Sequence, residues 1–113
     1  MSEEKGVWVI LVPTISNEGR PYKTRYHRVW DAKVRDITGG LTIQTPSKGQ
    51  WVSLEGTLYA ERMIPVQIIC SRSEIEKIIS LTMKYYDQLA VLAYKISSEY
   101  ILKHKGEENG KKI

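Results

Sequence analysis

Nine consecutive residues, 20–28, concentrate positive charge and aromatic rings, and we call them the basic cluster. They include Arg20, Tyr22, Lys23, Arg25, Tyr26, His27 and Arg28. If this segment opens a helix, the free N–H groups of the first turn add to the side-chain charge, and together they favour a bound phosphate or carboxylate. The tyrosines would also let it stack on nucleic-acid bases. A solvated first turn with long cationic stems is the alternative without a function.

Three residues are candidates for proton transfer. An imidazole such as that of His27 suits a general acid or base, although no serine or cysteine is fixed beside it, and a surface or pocket-wall histidine is the simpler interpretation. Glu61 and Arg62 stand among apolar residues of a strand pattern, so one must face the covered side, where a charge needs a partner. The alternatives are a buried ion pair, or a pocket pair beside Gln50 and Trp51 across a hairpin.

The segment from Lys48 to Trp51 resembles a phosphate-binding loop only superficially. A single glycine without a following helix cannot cradle phosphates, and a bulged hairpin with Trp51 at the edge of the core is the simpler interpretation. Cys70 is the single cysteine, so a metal site would have to rest on histidine and carboxylates. We therefore predict no catalytic motif, no metal site and no cofactor.

Length and composition describe an ordinary single domain. The chain has 113 residues, of which 42% are apolar and 27% charged, and a formal net charge of +4. A chain of this size folds without a disulfide or metal, and the mild positive charge weakly favours anionic partners. The polar start of the sequence excludes an ordinary signal peptide, and no apolar run approaches a membrane span. With a single cysteine, these features predict a cytoplasmic protein without membrane contact.

Apolar periodicity divides the first part of the chain into a strand and a helix. The apolar run 7–12 predicts a strand buried on both faces, and the loop 13–21 is long enough to be a functional loop. Over 23–38 an apolar stripe at helical spacing predicts a helix. Thr24 is its expected N-cap and Gly39–Gly40 its stop. The stripe consists of Tyr26, Trp30, Val34 and Ile37.

The middle of the chain predicts a long β-ribbon. A half-buried strand over 41–45 is interrupted at Pro46 and resumes over 50–53. Gly56 supplies the positive φ of a hairpin turn. The return strand then runs over 57–69, which makes it longer than most strands.

The return strand leads into a capped helix. We expect a bulge at Pro65, because a proline inside a strand needs an edge or a bulge. Ser71, followed by Glu74 three residues later, is the signature of a capping box, and it predicts a helix over 72–87. A further strand is predicted over 90–96.

The two ends of the chain are polar, and we predict disorder for residues 1–6 and 104–113, which leaves one domain over 7–103. Residues 97–103 either extend the last strand or form a short helix. The order of elements is βαββαβ, that of the ferredoxin-like α+β sandwich. Two right-handed crossovers then place both helices on one face of a four-stranded antiparallel sheet.

This fold leaves the other sheet face bare, with Tyr59, Met63 and Ile69 among its expected residues. An exposed apolar face usually meets a partner, so we predict a homodimer or higher oligomer through it. The topology also gathers the loop 13–21, the first helix and the hairpin at one end of the sheet, where we expect a ligand site. Its predicted residues are Arg20, Lys23, Arg25, His27, Arg28, Lys48, Gln50 and Trp51.

Several of these residues resemble a pattern of small uncharacterised bacterial families with a ferredoxin-like fold. Those families combine a Gly-Leu-Thr strand start, a Gly-Gln-Trp segment and a Glu or Arg at the head of the next strand. The matching residues are Gly40-Leu41-Thr42, Gly49-Gln50-Trp51, Gly56 and Glu61-Arg62. The resemblance spans residues 23–96 and implies the fold but little about chemistry.

These observations support three functions. The first is an oligomeric module that binds a small anionic ligand or a protein partner, and it is the one we expect. The second is a small enzyme with a pocket between subunits, in which His27 or the Glu61-Arg62 pair transfers a proton. The third is nucleic-acid binding, which predicts a continuous basic face and steep salt dependence, although the strands lack the aromatic pattern of RNA-binding sheets.

Overall fold

The structure, a computed structural model, describes residues 3–108 and 111–112. Those residues form two helices and seven strands: β1 Lys5–Pro13, α1 Thr24–Thr38, β2 Thr42–Ile43, β3 Ser47–Val52, β4 Leu58–Ser71, α2 Arg72–Tyr85, β5 Ala93–Ser97, β6 Glu107–Glu108 and β7 Lys111–Lys112. This order confirms the ferredoxin-like α+β fold, with both helices packed on one face of an antiparallel sheet. Neither helix in the described ranges is long and apolar enough to cross a membrane.

β1 lies at the centre of the main sheet. The strand order is β2-β4-β1-β5, β3 also pairs with β4, and all these pairings are antiparallel. β1 pairs with β4 along its whole length, from Lys5 opposite Ser71 to Pro13 opposite Met63. The described sheet has five strands instead of the predicted four, because the predicted second strand is broken into β2 and β3.

The prediction of a bulge at Pro65 is wrong. The irregularity lies instead in the neighbouring strand, at the break between β2 and β3. β4 pairs with β1 without a register shift. On its other side the three residues 44–46 face the two residues 64–65, so the extra residue lies in the partner strand. The Pro65 carbonyl accepts a hydrogen bond from Gln44 N at 2.9 Å, and the N–H that proline lacks would point the same way. The ladder is therefore interrupted on that side.

The core lies between the helices and one face of the sheet. Its buried residues are Ile10, Val12, Trp30, Val34, Val66, Ile68, Cys70, Ile75, Ile78 and Tyr86. They include the centre of the stripe predicted for α1, with Tyr26 and Ile37 packed against its edge. Trp30 Nε1 donates to Thr82 Oγ1 at 3.0 Å, which pairs the polar atoms where the two helices meet. Each fully buried aliphatic side chain stabilises such a fold by roughly 1.5–3 kcal/mol.

The two helices begin differently. α2 has the predicted capping box, in which Ser71 Oγ accepts from Glu74 N and Glu74 Oε1 accepts from Ser71 N. The cap position of α1 is Lys23 rather than the predicted Thr24, and in the described chain it has neither a side-chain cap nor an acidic residue in its first turn. α1 stops at Gly39 as predicted, with φ at 91°. The first turn of α1 therefore has N–H groups without a side-chain cap.

Both ends of the chain differ from the predicted disorder. β1 begins at Lys5, within 1–6, and Glu3 Oε1 accepts from Ser73 N at 3.1 Å; residues 1 and 2 lie outside the described part. Within 104–113, β6 pairs with β7. Residues 109, 110 and 113 lie outside the described part of the chain. Residues 98–103 form neither the strand extension nor the short helix.

Candidate functional site

The β3–β4 hairpin extends beyond the core. We call β3, the turn 53–57 and residues 58–63 of β4 the ribbon. Trp51 and Tyr59 lie directly opposite each other on it, and their rings stack with centroids 4.7 Å apart. Its apolar side chains are open to solvent: Trp51 is 43% exposed, Val52 62%, Leu58 63%, and Leu54 at the tip completely.

One face of the sheet has no helix against it in the described chain, and we call it the open face. Val7 lies on it opposite Ile69, and Val9 opposite Gln67. Both valines are buried, so this part of the face is not bare as predicted. Because side chains alternate along a strand, the same face continues along β4 onto the ribbon. Its residues on β4 are Tyr59, Glu61, Met63, Pro65, Gln67 and Ile69.

Glu61 and Arg62 lie on opposite faces of the ribbon. Glu61 is half-buried on the open face, opposite Gly49, whereas Arg62 is exposed on the other face, opposite Lys48. Within the part of the chain that is described, neither makes an ion pair. The buried Glu61-Arg62 pair considered from the sequence is therefore not formed. Of its two expected neighbours, Trp51 shares the face of Glu61 and Gln50 does not.

The start of α1 lines a cavity of about 320 Å³, which we call the basic cavity. Its lining consists of Ser16, Arg20, Pro21, Tyr22, Lys23, Arg25 and Tyr26. Three cations and, in the described ranges, no carboxylate line it, while Arg28 lies outside. The cations and the uncapped helix start favour an anion there, while the carboxylates of Glu18 and Asp87 act on Tyr22 in the lining.

The loop after β1 holds the start of α1 against the end of α2, as the topology predicts. Tyr22 Oη donates to Tyr86 O at 3.0 Å.

The ribbon meets this end of the sheet only at its base, where Thr14 Oγ1 donates to Arg62 O at 2.8 Å. Trp51 lies opposite Tyr59, which is three residues from Arg62 along β4, a distance of about 10 Å at the strand rise. Three predicted site residues thus lie on the ribbon, outside the lining of the basic cavity: Lys48, Gln50 and Trp51.

His27 points inward, away from the basic cavity. Its Nδ1 lies 2.6 Å from Tyr86 Oη. Burial lowers the pKa of His27, against an opposing effect of the Asp31 carboxylate, and burial raises the pKa of the Tyr86 phenol. Both groups are neutral at neutral pH, so we assign Tyr86 as donor to Nδ1. A cavity of about 30 Å³ beside His27 has room for a water molecule but not for a substrate.

Cys70 is not a nucleophile in this fold. It is buried in the core, and burial raises its pKa to about 11, so it remains a thiol at neutral pH. Among residues 3–108 and 111–112, no three His, Cys, Asp or Glu side chains come together as metal ligands would.

A groove of about 600 Å³ at the far end of the open face was not predicted from the sequence. Its lining includes Lys5, Leu41, Thr42, Gln67, Ile69 and Tyr100. We expected disorder for residues 1–6, and that expectation removed Lys5 from consideration. Lys5, Val7 and Val9 are two residues apart in the sequence, and this spacing was the signal that they share one face of β1.

Solved structures with the same fold have different functions. A phage SAM lyase, in complex with S-methyl-5'-thioadenosine, matches with a TM-score of 0.64, over 96% of this chain and 96% of its own, at 13% identity. The divalent cation tolerance protein CutA1 of Thermus thermophilus matches at 0.57, over 81% and 84%, with 10% identity. A Bacillus cereus protein related to NIF3 matches at 0.56, over 86% of this chain and 26% of its own, with 13% identity. At such identities the likeness shows the fold alone.

Comparison by sequence gives no further assignment, because no family model and no curated protein matches this chain. The Gly-Leu-Thr, Gly-Gln-Trp and Glu-Arg pattern therefore stays a prediction.

The contact between His27 and Tyr86 makes a prediction about stability and pH. Because the pKa of His27 is lowered in the folded state, its contribution to the free energy of unfolding is complete above the unfolded pKa of about 6.5 and is lost as pH falls through the folded pKa. We expect urea unfolding of the wild type to show falling stability as the pH is lowered from 7.5 toward about 5.5. His27→Gln, which keeps an acceptor for Tyr86, should flatten this slope. Equal slopes in both proteins would contradict the prediction.

Proposed function

We propose that this chain is a homo-oligomeric ferredoxin-like module that binds a small ligand. The observation that carries the oligomer is the ribbon, which presents Trp51, Val52, Leu54 and Leu58 to solvent beyond the core. Trp51 lies on the open face, Val52 and Leu58 on the other face and Leu54 at the tip, and exposed apolar residues clustered in this way mark an interaction site.

A second copy of the chain is the partner that this surface favours. Two ribbons can cover each other's exposed apolar side chains through the same contacts, as in most homo-oligomers. An interface that covers Val52, Leu54 and Leu58 would leave the Trp51–Tyr59 pair accessible on the open face. The solved structures of the same fold are compatible with such a role but do not assign it.

The oligomer is tested by charging the ribbon tip. We expect light scattering after size exclusion, at micromolar concentration, to give a mass above that of one chain, and Leu54→Asp with Leu58→Asp to shift it toward 13.0 kDa, because a carboxylate in an apolar interface loses its hydration. Leu89→Asp is the control, since Leu89 is equally exposed but lies in the loop after α2. A wild type of monomeric mass rejects the proposal.

We propose that the ligand is a small anion bound in the basic cavity. Support comes from Arg20, Lys23 and Arg25 in the lining, and from the start of α1, whose N–H groups have no side-chain cap. A volume of about 320 Å³ suits a small molecule. The basic residues of this cavity are local to one end of the fold, which favours a small ligand over a nucleic-acid strand.

The anion site is tested by thermal stabilisation with inorganic phosphate against sodium chloride of equal ionic strength. We expect phosphate to raise the melting temperature of the wild type, because binding to the folded state stabilises it. Arg25→Ala should lose most of this rise. Arg28→Ala removes the same charge outside the cavity and should keep it. Equal responses of the two variants would reject the site.

A second candidate is a small enzyme that uses Glu61. The specific observation is a carboxylate half-buried on the open face without an ion-pair partner among the described residues. His27 is a poor candidate because it bonds to Tyr86, and Arg62 points to the other face. The phage enzyme of the same fold is a lyase of SAM, which makes S-adenosylmethionine the first compound to try.

This candidate is tested by incubating the protein with S-adenosylmethionine and measuring S-methyl-5'-thioadenosine, the compound bound in the phage structure, by chromatography. We expect release that is lost in Glu61→Gln and kept in Arg62→Gln. The two substitutions are adjacent and each removes one charge, but they lie on opposite faces. Absence of product from the wild type rejects cleavage of S-adenosylmethionine and leaves the binding module in place.

A further inference from the structure

We propose that the open face of the ribbon is a binding site for a planar organic cation, built from Trp51, Tyr59 and Glu61. It is separate from the basic cavity and opposite to it in charge. It shares Glu61 with the second candidate function but requires no turnover.

The aromatic part of the site is the stacked pair. The rings of Trp51 and Tyr59 are nearly parallel, with an interplanar angle of 17°. Each residue is still 43% exposed, so the stack leaves ring surface open to solvent. The faces of such rings carry negative potential and attract a cation, tryptophan most strongly. A flat ligand can also stack on them.

The charged part of the site is the carboxylate of Glu61. Positions 59 and 61 share a face, which puts the two side chains about 7 Å apart along the strand, a distance that one aromatic ligand spans. Gly49 lies directly opposite Glu61. Because glycine has no side chain, the space beside the carboxylate stays free, and a Cβ there would approach nothing closer than Glu61 O at 3.8 Å.

No cationic side chain on the adjacent strand positions shares the face of the Glu61 carboxylate, so it can pair with an external cation. Lys48 and Arg62 are the adjacent cations on the two strands, and both lie on the other face of the ribbon. The neighbours on the open face, Ser47 and Met63, are uncharged. A cross-strand aromatic pair by itself stabilises a hairpin, but it does not explain a half-buried carboxylate beside it without a cation.

The experiment compares two probes that differ in charge: nicotinamide methylated on its ring nitrogen, a permanent planar cation, and neutral nicotinamide. Binding to the full-length protein in its native assembly is measured by titration calorimetry. We expect the cation to bind at least about tenfold more tightly than the neutral ring, in line with a desolvated cation–π contact and a carboxylate.

Three variants identify the site. Glu61→Gln should abolish the preference for the cation, Tyr59→Leu should weaken both probes, and Arg62→Gln, on the other face, should change neither. Circular dichroism and light scattering verify fold and mass for each variant. Equal affinity for the two probes overturns the proposal. So does a Glu61→Gln variant that changes the mass of the assembly and leaves the preference intact, because Glu61 is then a subunit contact.

Discussion

The pairing of β1 with β4 is the contact on which the remaining structure depends. It aligns Ile10 with Val66 toward the helices and Val9 with Gln67 toward the open face. A slip of one residue would exchange these faces and expose the core. The same pairing defines the ribbon, because β1 ends at Pro13 while β4 continues to Leu58. Residues 58–62 of β4 have no partner in β1 and pair with β3.

The separation of charge follows from this arrangement. The loop after β1 returns the chain to the helix layer, and it places Arg20, Lys23 and Arg25 around a cavity beside α2. Strand alternation puts Glu61 with the aromatic pair on one face of the ribbon and Lys48 with Arg62 on the other. The cations of the basic cavity and the carboxylate of Glu61 therefore lie on separate surfaces of one small domain.

Local rules recovered most of the fold from the sequence, and they failed where the outcome depends on distant partners. The capping box of Ser71 and the stop at Gly39 were predictable because each depends on a few adjacent residues. The effect of Pro65 was misplaced, because register decides which neighbouring strand faces its missing donor. The bond between His27 and Tyr86 joins positions 59 residues apart, so no local pattern encodes it. The expected meeting of Trp51 with the basic cluster failed because the ribbon carries Trp51 past that end of the sheet.

The isolation of the ribbon from the core has a consequence for its dynamics. Beyond its base, its backbone hydrogen bonds join only its own two strands in the described chain, and no helix shields them from water. Amide hydrogens of such a hairpin exchange through local opening, at a free energy well below that of global unfolding. Association of subunits through the ribbon would then suppress this opening, and part of the association free energy would be spent on ordering the hairpin.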